Sequence, residues 1–152
     1  MSDPPRRLIV GIGNPDRGDD GVGRLVARLL RGRLPADVRI EERLGGAAEL
    51  VELLGEADVA VLVDAMMSGT APGTIQRFDC VAGEVGPGAA GASSHGLGVA
   101  EAVGLARALG CLPPVCVVYA VEAADFAPGA EMTTVVAAAA QETAGRIAAE
   151  LA

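Results

Sequence analysis

Arg7-Leu8-Ile9-Val10-Gly11, followed by Gly21-Val22-Gly23-Arg24-Leu25-Val26-Ala27-Arg28-Leu29-Leu30-Arg31-Gly32-Arg33, decides the fold. The first piece is a short apolar run entering glycine, as expected of a strand buried on both faces. In the second the period changes. Val22, Leu25, Val26 and Leu29 fall at i, i+3, i+4 and i+7, with Arg24, Arg28 and Arg31 on the opposite side. That spacing predicts an amphipathic helix, ended by Gly32 and Pro35.

The same alternation continues outward. Val38–Arg43 reads as a second strand, Gly45-Gly46 as a turn, Ala47–Leu54 as a short helix and Val59–Asp64 as a third strand closing on a carboxylate. Ile75–Cys80 is short and more polar, which suits a sheet edge. A helix is expected over about Leu97–Leu109, a last strand over Val115–Val121, and a closing helix over Met132–Leu151 with Glu142, Arg146 and Glu150 on its wet side. Strands alternating with helices in this order predict a three-layer α/β fold: a mostly parallel sheet with helices on both faces. No repeat and no internal boundary is visible, so residues 1–152 are expected to form a single domain.

Composition agrees with that reading and narrows the partner. The chain is 51% apolar but only 2% aromatic, so its core must be aliphatic and closely packed. A chain of 152 residues buries about two-thirds of its unfolded surface and needs no disulfide or structural metal. Cys80, Cys111 and Cys116 form neither a CxxC pair nor an even framework, and are expected to be buried small hydrophobes. No apolar stretch approaches the roughly 20 residues that span a bilayer, and the start shows no signal core, so a cytoplasmic protein is expected. Net charge is −8, all 12 cations being arginines. So acidic a chain is poorly suited to a phosphate backbone, and its partner is expected to be a protein or peptide.

In open α/β sheets ligands bind outside the carboxyl ends of the strands. Asn14, Asp16, Asp19 and Asp20 follow the first strand, Asp64 ends the third, His95 leads into a helix and Glu122 follows the last strand, so all are expected at one rim. Gly11-Ile12-Gly13-Asn14 begins like a dinucleotide fingerprint, but position 16, where the third glycine belongs, is Asp16, and further acids follow at the helix start. Of the adjacent pair, Asp19 is assigned to helix capping and Asp20 to function. Asp64, directly after Val59–Val63, is expected to project into the crevice. His95 is the sole histidine, delivered by the Gly/Pro/Ser-rich stretch 83–94. Two carboxylates and one imidazole form a donor set suited to Ni, Zn, Mn or Fe. Ser93 and Ser94, chain neighbours of His95, suit caps better than a triad nucleophile; Ser68 and Thr70, near Asp64, are undistinguished candidates, and an Asp20/Asp64 dyad sharing a proton is a further alternative.

Leu8-Ile9-Val10-Gly11-Ile12-Gly13-Asn14, Asp19-Asp20-Gly21-Val22-Gly23, Gly45-Gly46, Leu62-Val63-Asp64-Ala65, Ala71-Pro72-Gly73-Thr74 and Ser94-His95-Gly96-Leu97-Gly98 together resemble the nickel-iron hydrogenase maturation proteases, in family order and over nearly the whole chain. The resemblance implies a five-stranded α/β sheet of the phosphorylase/hydrolase-like kind. It implies an endopeptidase that removes a C-terminal extension from a nickel-iron hydrogenase large-subunit precursor once nickel is inserted. It carries the metal-contacting role onto Asp20, Asp64 and His95, with nickel supplied by the substrate, and substrate contacts onto Asn14, Gly45 and Gly46. No nucleophile is evident. Two departures stand out: Leu44 and Ala47 flank the double glycine where members often have aspartate and threonine, and Asp20 is one methylene shorter than the glutamate of some members. The opening Leu8–Pro15 also resembles bacterial peptidyl-tRNA hydrolases, but the histidine those enzymes keep after this loop is missing. A non-catalytic nickel-sensing maturation chaperone would use the same ligands.

Overall fold

The computed structural model describes residues 3–83 and 98–152. Five strands, β1 (Arg7–Ile12), β2 (Val38–Arg43), β3 (Val59–Met66), β4 (Ile75–Asp79) and β5 (Val115–Glu122), form one sheet in the order β2-β1-β3-β5-β4. The first four in that order run parallel, and β4 lies antiparallel to β5 at the edge. Four helices, α1 (Val22–Leu30), α2 (Ala47–Leu54), α3 (Gly98–Ala108) and α4 (Thr134–Leu151), complete the three layers.

Successive side chains of a strand point to opposite faces, so each apolar run serves two cores. Ile9, Val61, Val63, Val117 and Tyr119 pack under α1 and α4. Leu8, Val10, Ala60, Leu62 and Val118 pack under α2 and α3. The apolar runs are unbroken because the central strands have no wet face. β4, with one neighbour, is only partly buried.

α1 sits closer to the sheet than its large residues suggest. Its fully buried face is Val22, Gly23, Val26, Ala27 and Leu30, while Leu25 and Leu29, expected on the apolar stripe, are half-buried at its margin. The cause is a glycine contact. A Cβ on Gly11 would lie 2.3 Å from the Gly23 carbonyl oxygen, and one on Gly23 would lie 2.2 Å from the Val63 carbonyl oxygen. The helix therefore rides on its small residues, directly over β1 and β3.

α3 is oriented by its far end. The Arg107 guanidinium donates to the Cys80 carbonyl, just past the end of β4, and β4 ends opposite Val117 near the start of β5. The C-terminus of α3 is thus at the amino end of the parallel strands. With 11 residues at about 1.5 Å each, its first turn points to the carboxyl end. Cys80 and Cys116 are buried as expected, whereas Cys111 is half-buried; all three thiols are free.

Candidate functional site

β1 ends at Ile12, and the chain turns through Gly13 with φ 147°. A side chain here would strain the backbone and place its Cβ 1.9 Å from the Asp20 carbonyl oxygen, so only glycine lets the loop fold back this tightly. The Gly13 amide donates to the Arg43 carbonyl at 3.0 Å, which sets the end of β2, and hence Gly45 and Gly46, beside this loop. Within the loop the Asn14 amide donates to Asp20 Oδ2 at 3.0 Å, and Asn14 Oδ1 accepts from the Asp16 amide at 2.9 Å. A 3-10 turn, Gly18–Gly21, then leads into α1.

Asp20 is fully buried in that turn. Asp64 is 4% exposed, one residue beyond the Gly11–Val63 register pair that joins β1 to β3. The two acids therefore stand at the carboxyl ends of neighbouring strands. Asp64 is not the last residue of its strand, as expected from sequence; β3 continues through Ala65 and Met66, which pair with Val121 and Glu122. Asp64 Oδ1 accepts from the Ala65 amide at 2.8 Å. His95, with Ser93 and Ser94, lies outside the described residues. Among the described residues no three His, Cys, Asp or Glu side chains gather as a metal site.

Two rim acids do something the sequence did not suggest. Asp19, expected to cap its own helix, makes no cap bond there. Its Oδ2 accepts from the Ala124 and Asp125 amides at 2.8 and 3.1 Å, and its Oδ1 from the Thr133 amide at 2.7 Å. Thr133 is the N-cap of α4, so Asp19 does place negative charge at a helix start, but of the helix 114 residues away. This ties the first loop to the β5–α4 connection and holds its neighbour Asp20 in place. Glu122 likewise receives the Ser68 hydroxyl at 2.5 Å, the Thr70 hydroxyl at 2.8 Å and the Ser68 amide at 2.9 Å. Burial pushes its carboxyl up, and the hydrogen bonds from Ser68 and Thr70 outweigh that, holding it below the usual carboxylate range. Both acids are clamps on the rim loops. Nothing in the local sequence marks them, because their donors come from distant segments.

Arg17, in the same loop as Asn14 and Asp20, has a buried Nε with no acceptor among the described residues. Sequence reasoning missed it. A cavity of about 240 Å³ lies at the opposite, amino end of the sheet, lined by Arg6, Arg7, Asp37, Arg39 and Glu56. Those charges largely pair with one another, and the convergence of loops expected of an α/β site is not there.

A family model, hydrogenase maturation protease, matches residues 24–150. The chain belongs to the hydrogenase maturation protease family. Asp64 and His95 fall inside the matched stretch and Asp20 just before it. Among curated relatives, the hydrogenase expression/formation protein HupM of Azotobacter chroococcum is 34% identical over 126 residues, covering 80% of this chain and 59% of its own length. HupD of Rhodobacter capsulatus is 34% identical over 114 residues, covering 72% of this chain and 53% of its own. The chain thus spans somewhat over half the length of the curated relatives it matches. Among solved structures, the hydrogenase maturating endopeptidase HybD of Escherichia coli superposes with a TM-score of 0.84 at 26% identity, covering 96% of this chain and 91% of that one. The [NiFe] hydrogenase maturation protease HybD of Thermococcus kodakarensis shares the fold, with a TM-score of 0.76 at 22% identity over 97% and 99% of the two chains.

Proposed function

We propose that this chain is an endopeptidase of hydrogenase maturation that removes the C-terminal extension of a nickel-iron hydrogenase large-subunit precursor after nickel insertion. The observation that carries the reading is the pair of buried acids, Asp20 and Asp64, at the carboxyl ends of two neighbouring strands in a member of this protease family. A buried carboxylate needs donors or a cation to offset its lost hydration, and hard oxygen donors suit a divalent metal. Nickel is here part of the substrate. Asp20, Asp64 and His95 coordinate it from the enzyme side, and the precursor tail is thereby positioned for cleavage.

Asn14, Gly45 and Gly46 line the approach of the tail. The hydrogen bond from Gly13 to Arg43 keeps their two loops adjacent, and Gly46 is in extended backbone before α2, with no side chain in the way of a peptide. The Nε–H of Arg17 is a further donor in this loop for a substrate carbonyl. The reaction belongs to the cytoplasm. Among the described residues no helix is long and apolar enough to cross a membrane.

The test is to incubate the protein with nickel-loaded precursor and with nickel-free precursor, and to follow the precursor's mass. Truncation of the loaded form alone is the expected result. Equal cleavage of both would overturn the nickel-reading step, and complex formation without truncation would make the protein a maturation chaperone.

A further inference from the structure

The charge of this acidic chain is unevenly spread. Nine of the 12 arginines, but seven of the 20 acids, lie in the first 43 residues. Several of them converge at one place. Arg24, Arg28 and Arg31, on the outer side of α1, all reach the single carboxylate of Glu42 on β2, at 3.2, 3.0 and 3.3 Å. Glu42 is only 16% exposed, whereas Arg28 and Arg31 are 54% and 51% exposed. One acid neutralises one charge, so the cluster keeps a positive surplus on its solvent side.

We infer that this arginine face of α1 is a docking surface for an acidic segment of the precursor, next to the cleavage site. The inference rests on the proposed function for the identity of the partner. Its placement supports it independently: Arg24 also donates to the Gly13 carbonyl at 3.4 Å, in the loop that carries Asn14 and Asp20, so the face starts at the site and runs away from it down the helix. A protein of net charge −8 repels acidic partners at long range, and a local positive face is what would orient such a partner correctly. The partner is a protein segment rather than nucleic acid, because a chain of net charge −8 repels a continuous phosphate backbone beyond this one small face.

The experiment measures binding and cleavage of nickel-loaded precursor from the same organism, each at low and high ionic strength. For Arg28→Glu/Arg31→Glu, about a tenfold rise in Kd and KM at low salt is expected, with kcat unchanged and the salt dependence flattened. Glu42→Gln should tighten low-salt binding several-fold, because it releases all three guanidiniums; a merely structural cluster would give no tightening. Unchanged binding in both variants overturns the docking surface, whether or not the precursor is cut. Salt-sensitive binding without cleavage keeps the docking surface and overturns the protease reading. No binding by the wild-type protein overturns both.

Discussion

At the amino end of the sheet, the side chains of Asp37 and Asp58 are 51% and 42% exposed, and each is held by an arginine, Arg7 and Arg6. At the carboxyl end, Asp19, Asp20, Asp64 and Glu122 are almost wholly buried, and each accepts at least one backbone amide. The residue types are the same, and the environments differ in kind. Water solvates the first group, so little depends on their partners. The second group has given up its hydration, and each member needs compensation supplied by a specific loop. Buried acids at one rim thus divide into those that shape the loops, Asp19 and Glu122, and those at the ends of β1 and β3 that face the substrate in our proposal, Asp20 and Asp64.

The sharpest way to break this division is at the second pair. His95→Ala and Asp64→Asn are each expected to lower processing of nickel-loaded precursor by at least about 10³-fold, with unchanged helix content by circular dichroism. An unfolded His95→Ala protein would assign the histidine to structure, and a processing-competent Asp64→Asn protein would remove Asp64 from the site. Asp19→Ala should behave in the opposite sense. Losing a charged acceptor shared by three backbone amides is expected to cost about 3 kcal/mol in urea unfolding, and Asp19→Asn less, since its amide oxygen still accepts.

This division is also where sequence reading stops. The strands, α1 and the edge position of β4 were legible because periodicity is local: an unbroken apolar run describes a two-faced strand wherever it occurs. Asp20 and Asp64 could be put at one rim because the parallel α/β rule fixes which strand ends face the crevice. The extension of β3 past Asp64 was not legible, since Ala65 and Met66 are drawn into the sheet by β5, more than 50 residues away. Nor was the use of Gly23 and Ala27, rather than Leu25 and Leu29, as the inner line of α1, because it depends on Gly11 lying beneath them. Asp19 shows the same limit most plainly. An acid beside a helix start was recognised as such, and the helix it serves was the wrong one.

A smaller effect tests Glu122 by pH. Glu122→Gln is expected to lose about 1–2 kcal/mol at neutral pH, by weakening the charge-assisted bonds from Ser68 and Thr70. Because the folded-state carboxyl titrates below its unfolded value, its contribution is present above the unfolded pKa of about 4.3 and disappears as pH falls through the folded one. The stability curves of wild type and Glu122→Gln should therefore converge in acid. Parallel curves down to pH 2 would show that the carboxylate form contributes nothing.

The smallest expected effect lies at the amino end and is the control for all the others. Asp58 accepts from the Arg6 amide at 2.7 Å and pairs with its guanidinium at 3.3 Å, and its carboxyl is held below the usual range chiefly by the Arg6 amide. On geometry alone it resembles Asp19. It differs in that its side chain is open to water, which replaces whatever the arginine gives up, whereas Asp19 is fully buried. Asp58→Asn should leave the urea midpoint within error of wild type, and leave precursor cleavage unchanged. A loss as large as that of Asp19→Ala would mean that hydrogen-bond geometry, rather than burial, sets the importance of an acid in this fold, and the contrast between the two ends of the sheet would fail.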